Sequence, residues 1–418
     1  MTAVLRDWTF AVLWAFTLTI PWEAAVEELP WVGTLSRTIG LLAVPIAVAA
    51  VVMGGRRHRL LDTHLIMLAL AAWALASLAW SIVPAVTLQV ASTMLQLLVM
   101  VLMMWEFGRD GRRLRQLLWA FVLGTLVGCI AIFFEAGSAD ELTTTYIRLS
   151  QGGVNANHAA FLFSLAIPVA WYLSLTSTMV IHRWVAGLYV PAGAVAMLYT
   201  GSRGGLLTLF LALSILPLTL RHGGLRVRAL ALVSLAAMIV VLANFIPEQT
   251  FDRIETIPAE LTSGDLGGRS AAWQASLGSF ASNPLIGVGA GTSEFQIESI
   301  VGRPQGAHNT YLSLAVDLGA VGLGLFLLIL MSVAGRWPRL QSHKRKLVGV
   351  LLITFLVGLV PGHWEYHKAT WLILALMLAE TSPVGATTTV DRTASGRGRQ
   401  RSDRKSAVPA MATPRPDG

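Results

Sequence analysis

Residues Leu114 to Phe134 read LRQLLWAFVLGTLVGCIAIFF, 21 residues whose single charge, Arg115, sits in the first turn. A helix of that length rises roughly 30 Å, the thickness of a bilayer's hydrocarbon core. Its flanks differ in sign: Arg109, Arg112 and Arg113 precede it, and Glu135, Asp140 and Glu141 follow. Basic flanks stay in the cytoplasm, so the block is expected to cross a membrane with its first end inside.

Comparable apolar blocks fall at roughly 8–22, 36–54, 62–81, 87–107, 157–176, 182–200, 204–220, 227–246, 311–332, 346–362 and 367–380. Alternate connections are basic: Arg56, Arg57 and Arg59; Arg183; Arg221, Arg226 and Arg228; Arg336, Arg339, Lys344, Arg345 and Lys346. The others are acidic or mixed, beginning with Glu23, Glu27 and Glu28 and ending with the long stretch from Pro247 to Asn309. Twelve helices with both termini cytoplasmic satisfy this alternation. The fold class read from it is all-α, a polytopic integral membrane protein.

Composition agrees. Of 418 residues 55% are hydrophobic and 13% charged, with mean hydropathy +0.64, where a soluble domain would carry nearer a quarter charged residues. The net charge of +8 lies largely in the inner connections and the tail, so it speaks for membrane orientation and against nucleic acid as a partner. Arg6 and Asp7 precede the first block and no small-residue cleavage site follows Pro21, so that block is expected to remain as a membrane helix. Cys129, the single cysteine, has no partner for an intrachain disulfide.

Four segments follow: 1–246 with helices 1–9, an outer loop over 247–310, 311–380 with helices 10–12, and a basic tail over 381–418 of disordered composition. The run Arg397 to Lys405 either solubilises the tail or touches anionic lipid. No internal repeat is visible, which counts against an inverted-repeat transporter.

The outer side carries the polar chemistry. In the long loop, Leu266 to Phe280 reads as a helix ended by Asn283-Pro284, and Ile286-Gly-Val-Gly-Ala-Gly291 is a segment whose glycines allow close backbone approach. It lacks the Gly-Lys-Ser/Thr ending of a nucleotide loop and faces away from cytoplasmic ATP. Tyr199-Thr-Gly-Ser-Arg-Gly-Gly205 puts Arg203 at the membrane surface, where it either snorkels or works. Asn155, Asn157 and His158 head the sixth block, as helix caps or as a polar pocket. Arg37, Arg148, Arg203 and Arg269 suit a lipid-borne phosphate, since the guanidinium fork binds its oxygens bidentately. His308 is the outer residue best suited to accept a proton. His158, His308, His363 and His367 lack metal-ligand spacing, so no metal is expected, and no residue pattern calls for a cofactor.

Ser202-Arg203-Gly-Gly, Gly267-Gly-Arg269-x-x-x-Trp273, Asn283-Pro-Leu-Ile-Gly-x-Gly289 and His308-Asn309-x-x-Leu312 with Leu318-Gly319 come in the order and spacing of one family. Over about residues 190 to 330 the chain resembles the O-antigen ligase and O-antigen polymerase superfamily. The resemblance implies a glycosyltransferase of the bacterial inner membrane, like other membrane-embedded lipid-linked-sugar enzymes. It would take a glycan from undecaprenyl diphosphate on the periplasmic side without ATP, nucleotide sugar or metal. The acceptor is lipid A–core oligosaccharide in the ligase branch, a lipid-linked repeat unit in the polymerase branch, and a protein hydroxyl in a third. The ligase branch is favoured. By position, the resemblance implies that Arg203 and Arg269 bind the diphosphate and His308 is the general base. Arg37, Arg148, Asn155, Asn157, His158, Asn309 and Trp273 are weaker substrate-binding candidates, with Trp273 either stacking on a sugar or packing the loop helix. Asp265 and Glu294 leave a carboxylate mechanism open, and a polyprenyl-glycan transporter is the different-class alternative.

Overall fold

The computed structural model describes residues 2–25, 34–54, 57–138, 155–220, 224–245, 269–303, 305–381 and 387–388. Every expected block is helical. The membrane helices are α1 (Thr2–Thr19, continued by a 3-10 turn, Ile20–Ala25), α2 (Leu35–Gly54), α3 (Asp62–Ala76, then a 3-10 turn, Ser77–Ala79), α4 (Pro84–Gly108), α5 (Gly111–Ser138), α6 (Ala156–Thr176) and α7 (Val180–Tyr199). The eighth block splits into α8 (Arg203–Leu213) and α9 (Ile215–Leu220), because Pro217 has no N–H to give and its ring crowds the carbonyl of Leu213. Then come α10 (Leu225–Phe245), the loop helices α11 (Arg269–Ser282) and α12 (Ser293–Val301), and α13 (Thr310–Ala334), α14 (Ser342–Gly358) and α15 (Lys368–Glu380). Among the described residues, nine helices are long and apolar enough to cross a membrane. At 17 and 13 residues α14 and α15 are shorter than those nine. Thr387–Thr388 pairs with Arg57–His58, and the remaining tail expected to be disordered lies outside the described residues.

α6 runs through the middle of the bundle, buried without interruption from Ala159 to Ser174, as a helix apolar on all sides should be. Contacts between helix ends agree with the charge pattern. At one face Arg6 bonds Glu106 at 2.9 Å, Arg113 bonds Asp7 at 2.6 Å, Lys344 pairs with Glu380 at 2.6 Å and Arg336 reaches Thr63 at 3.1 Å. At the other, Lys368 bonds Glu23 at 2.8 Å, Ser202 bonds Asn157 at 2.7 Å, and Thr310 N–H donates to the Leu359 carbonyl at 3.0 Å. Each contact joins ends that the basic and acidic connections put on the same side.

α13 is broken at Gly319, whose φ of 66° and ψ of −167° only glycine adopts readily. A break in an apolar span strands backbone groups that lipid cannot satisfy. The loop segment after α11 supplies the partners: Val288 and Gly289 N–H donate to the carbonyls of Val316 and Asp317, both at 2.9 Å, while Ala320 and Val321 N–H donate to those of Pro284 and Leu285 at 2.8 and 3.3 Å. A Cβ on Gly287 would lie 2.5 Å from the Val316 and Asp317 carbonyls, and one on Gly319 would strike the Leu285 backbone. The glycine-rich segment therefore makes its close approach to the chain's own broken helix. Asp317, buried beside the break, accepts from Ser293 N–H at 2.7 Å and from the Tyr366 hydroxyl at 2.8 Å, tying α12 and the α14–α15 turn to the same point.

Candidate active site

The loop-side ends of α6, α8 and α13 come together with α11 and the α14–α15 turn. Ser202 caps α8 by accepting from Gly205 N–H at 3.0 Å and donates its own hydroxyl to Asn157 Oδ1 at 2.7 Å. Gly204 and Gly205 lack a side chain for a steric reason: a Cβ on Gly204 would lie 2.7 Å from Pro361, and one on Gly205 2.7 Å from Ala160. The Ser-Arg-Gly-Gly run thus fixes where α8 begins and lets its first turn touch both α6 and the α14–α15 turn. Arg203 is the first residue of α8, and Arg269 is the first residue of α11. Arg269 is partly buried, and burial first, then the charge of Arg203, lowers its pKa. Two guanidiniums from distant segments are therefore within electrostatic reach, each at a helix N-terminus, where the backbone dipole also favours an anion.

Beside them, Gly306–Thr310 is clamped from several directions. Trp273 donates its indole N–H to the Ala307 carbonyl at 2.8 Å, so the loop helix packs onto this segment. Asn309 caps α13 by accepting from Tyr311 and Leu312 N–H at 3.0 and 3.2 Å. Thr310 donates its hydroxyl to the Gly362 carbonyl at 2.9 Å and accepts from Trp364 N–H at 2.9 Å. Between them His308 has φ of +46°, and it is the non-glycine residue with positive φ among the described residues.

His363 holds that backbone. Its Nε2 accepts the His308 N–H at 2.9 Å, so in the neutral ring the proton is on Nδ1, which lies 2.9 Å from Ser313 Oγ and donates to it. The two imidazoles stand 4.9 Å apart, centre to centre. Burial first, then the neighbouring His308, His367 and Arg269, pushes His363 down to about 3, so it is neutral near pH 7. Glu365, buried below it with Oε1 3.9 Å from Nδ1, is pushed up to about 8 by burial and then by Asp317. Glu294 Oε1 lies 3.9 Å from His363 Nε2 on the exposed side.

The weaker candidates divide. Asn157 belongs to the cluster through Ser202, and Asn155 is a helix cap accepting from Asn157 N–H at 3.0 Å. The His158 ring lies 5.0 Å from Trp364 and 4.9 Å from His367. Arg37 is exposed at the start of α2; nearby, Lys368 Nζ bonds Thr34 and Ser36. Arg148 and Asp265 lie outside the described residues. Among the described residues no group of three or more His, Cys, Asp or Glu side chains could hold a metal ion.

Sequence reasoning gave no role to His363, Ser313, Asp317, Glu365 or Tyr366. Two signals pointed to them: Asp317 is a carboxylate within an apolar span, and His363-Trp-Glu-Tyr-His-Lys368 is a dense polar run at a helix junction.

Residues 188–327 match the model of a family described as O-antigen ligase. The matched stretch contains Arg203, Arg269 and His308, and ends before His363 and Glu365. No curated protein matches the chain. The match bears out the resemblance to the O-antigen ligase superfamily.

Proposed function

From its place in the O-antigen ligase and polymerase family, whose members are glycosyl-transfer enzymes, we propose that the chain is a ligase of the bacterial inner membrane. It moves a glycan from undecaprenyl diphosphate to lipid A–core oligosaccharide at the periplasmic face, with both termini in the cytoplasm. The observation that carries the reading is that Arg203 and Arg269, from segments far apart in the chain, lie within each other's field, and that Arg269 also acts on His363, which holds the clamped His308.

The chemistry follows from those groups. An acceptor hydroxyl attacks the anomeric carbon as the bond from that carbon to the diphosphate oxygen breaks. The electron pair leaves with undecaprenyl diphosphate, whose growing charge the two guanidiniums stabilise. The hydroxyl proton passes to the His308 imidazole. A single displacement inverts the anomeric centre, so an α-linked donor gives a β-linked product. His363 is a positioning residue that keeps His308 in its left-handed conformation. Glu294 is exposed with its carboxylate 3.9 Å from His363, and a mechanism that uses it as a nucleophile is the weaker alternative.

A transporter would carry a charged, glycine-broken helix at mid-depth. α13 has the break and the charge, but both lie toward the loop-facing end and are sealed by the Pro284–Gly289 backbone.

The test is transfer by purified protein, without nucleotide or divalent metal, from undecaprenyl-diphosphate glycan to core acceptor, with Arg203→Ala, Arg269→Ala and His308→Ala alongside. Core product that disappears in the variants is the expected result. Longer lipid-linked chains with no core product would make the chain a polymerase of O-antigen or exopolysaccharide. Normal donor binding with no transfer to any acceptor would return the transporter reading.

A further inference from the structure

The segment Asn283–Gly291 belongs to a loop that charge and length put outside the membrane, yet its partners lie within spans. Leu285 accepts from Val321 N–H, and Ile286 accepts from the Trp80 indole at 3.2 Å. Two helices serve as rulers for depth. Arg336, which bonds Thr63 at the basic face, is 15 residues from Val321, or about 22 Å of helix. Asp62, at the same face, is 14 α-helical steps from Ala76, and Trp80 lies four steps of 3-10 turn further on, together about 29 Å. Both heights fall short of the roughly 30 Å of hydrocarbon, and helix tilt only deepens them.

The segment is built for that depth. It holds no charged residue from Asn283 to Ser293. Carbonyls of Pro284, Leu285, Val288 and Ala290 accept from Ala320, Val321, Ile82 and the Thr87 hydroxyl, and Ala290 N–H donates to Ser77 Oγ. Irregular backbone survives in hydrocarbon only when satisfied in this way. Val288 and Ala290 point inward, but two side chains turn outward: Leu285 is 67% and Ile286 40% exposed, beside Ile82 at 48%, and α3 and α13 also expose apolar side chains, Leu75 and Val321.

We propose that Leu285 and Ile286 insert among the lipid acyl chains of the loop-facing leaflet, so that Asn283–Gly291 is a re-entrant anchor. The anchor joins α11, which begins with Arg269, to α12, and so holds the loop's arginine at the level of the membrane boundary. The inference stands on the backbone pairing and is independent of which glycan is transferred.

The experiment is collision accessibility of a spin label on Leu285→Cys in a Cys129→Ser background. The protein is reconstituted in phosphatidylcholine and phosphatidylglycerol vesicles free of polyprenyl lipids. Leu95→Cys, on the exposed side of α4, gives the lipid reference, and Glu298→Cys, on exposed α12, gives the water reference. Ile286→Cys is measured in parallel, so that one poorly folded variant does not decide the matter. The expected result is a ratio of oxygen to nickel-chelate collisions close to the Leu95 reference. A ratio like that of Glu298 overturns the proposal. Shielding from both reagents, with dipolar broadening between labels, overturns it also, because a second copy of the chain would then cover the patch.

Discussion

His308 adopts a backbone conformation that costs an L-residue about 1–2 kcal/mol, and the acceptor that holds its N–H is His363 Nε2. Replacing His363 by Ala leaves that N–H without its acceptor, a further loss of about 1–3 kcal/mol. Together these favour relaxation of His308 by about 2–5 kcal/mol, and a tenfold rate change corresponds to about 1.4 kcal/mol. The clamps on Ala307, Asn309 and Thr310 stay in place. The lower end is therefore expected, a fall in kcat of roughly 30-fold with the donor KM little changed. His363→Gln presents a carbonyl to the same N–H and an amide hydrogen to Ser313, and should recover kcat to within about tenfold of the native chain. The assay is steady-state transfer to the core acceptor, with apparent melting temperature as a check on folding. An Ala variant within about threefold of native kcat, or a Gln variant as slow as Ala, refutes the positioning argument.

Gly319→Ala puts a side chain into a region of backbone space that costs about 1–3 kcal/mol and drives its Cβ into the Leu285 backbone; the apparent melting temperature in detergent should fall by several degrees, and an unchanged melt would count against the sealed break. Arg269→Lys keeps the charge and loses the bidentate fork, so transfer should fall nearly as far as in Arg269→Ala; recovery of native kcat/KM by Lys would reduce the site to a point charge. Stability should be greatest between about pH 4.5 and 6.5. Glu365, raised from 4.5 to about 8, keeps its proton in the folded chain where the unfolded chain releases it, so stability falls as pH rises through that window. His363, lowered from 6.5 to about 3, refuses a proton that the unfolded chain takes up, so stability falls as pH drops through that one. Melting temperatures across pH check this, and Glu365→Gln should flatten the alkaline side.

The membrane helices were legible because hydrocarbon imposes one simple demand, a long apolar run, and because Arg and Lys mark one face. Leu114–Phe134 could hardly be anything else. Ser202-Arg203-Gly-Gly was legible as a motif, but the reason for its glycines was not: Pro361 and Ala160 are far away in sequence and meet α8 only in the folded bundle. The glycine-rich run after Pro284 implies by its composition a close approach of backbone to a partner it does not identify, and that partner is the break in α13. Asn309 and Trp273, counted among possible ligands, act locally as a cap and as a packing bond to the His308 segment. His363 was visible only as one residue in a polar run.

The sequence by itself determined the apolar blocks and which helix ends share the loop side, since each depends on the composition of a contiguous stretch. Tertiary structure alone decided that Arg203 and Arg269 share one field, that His308 is held left-handed by an imidazole 55 positions away, and that the segment after α11 completes a broken apolar helix. Those relations depend on distances between groups far apart along the chain, and no local periodicity or propensity encodes a distance of that kind.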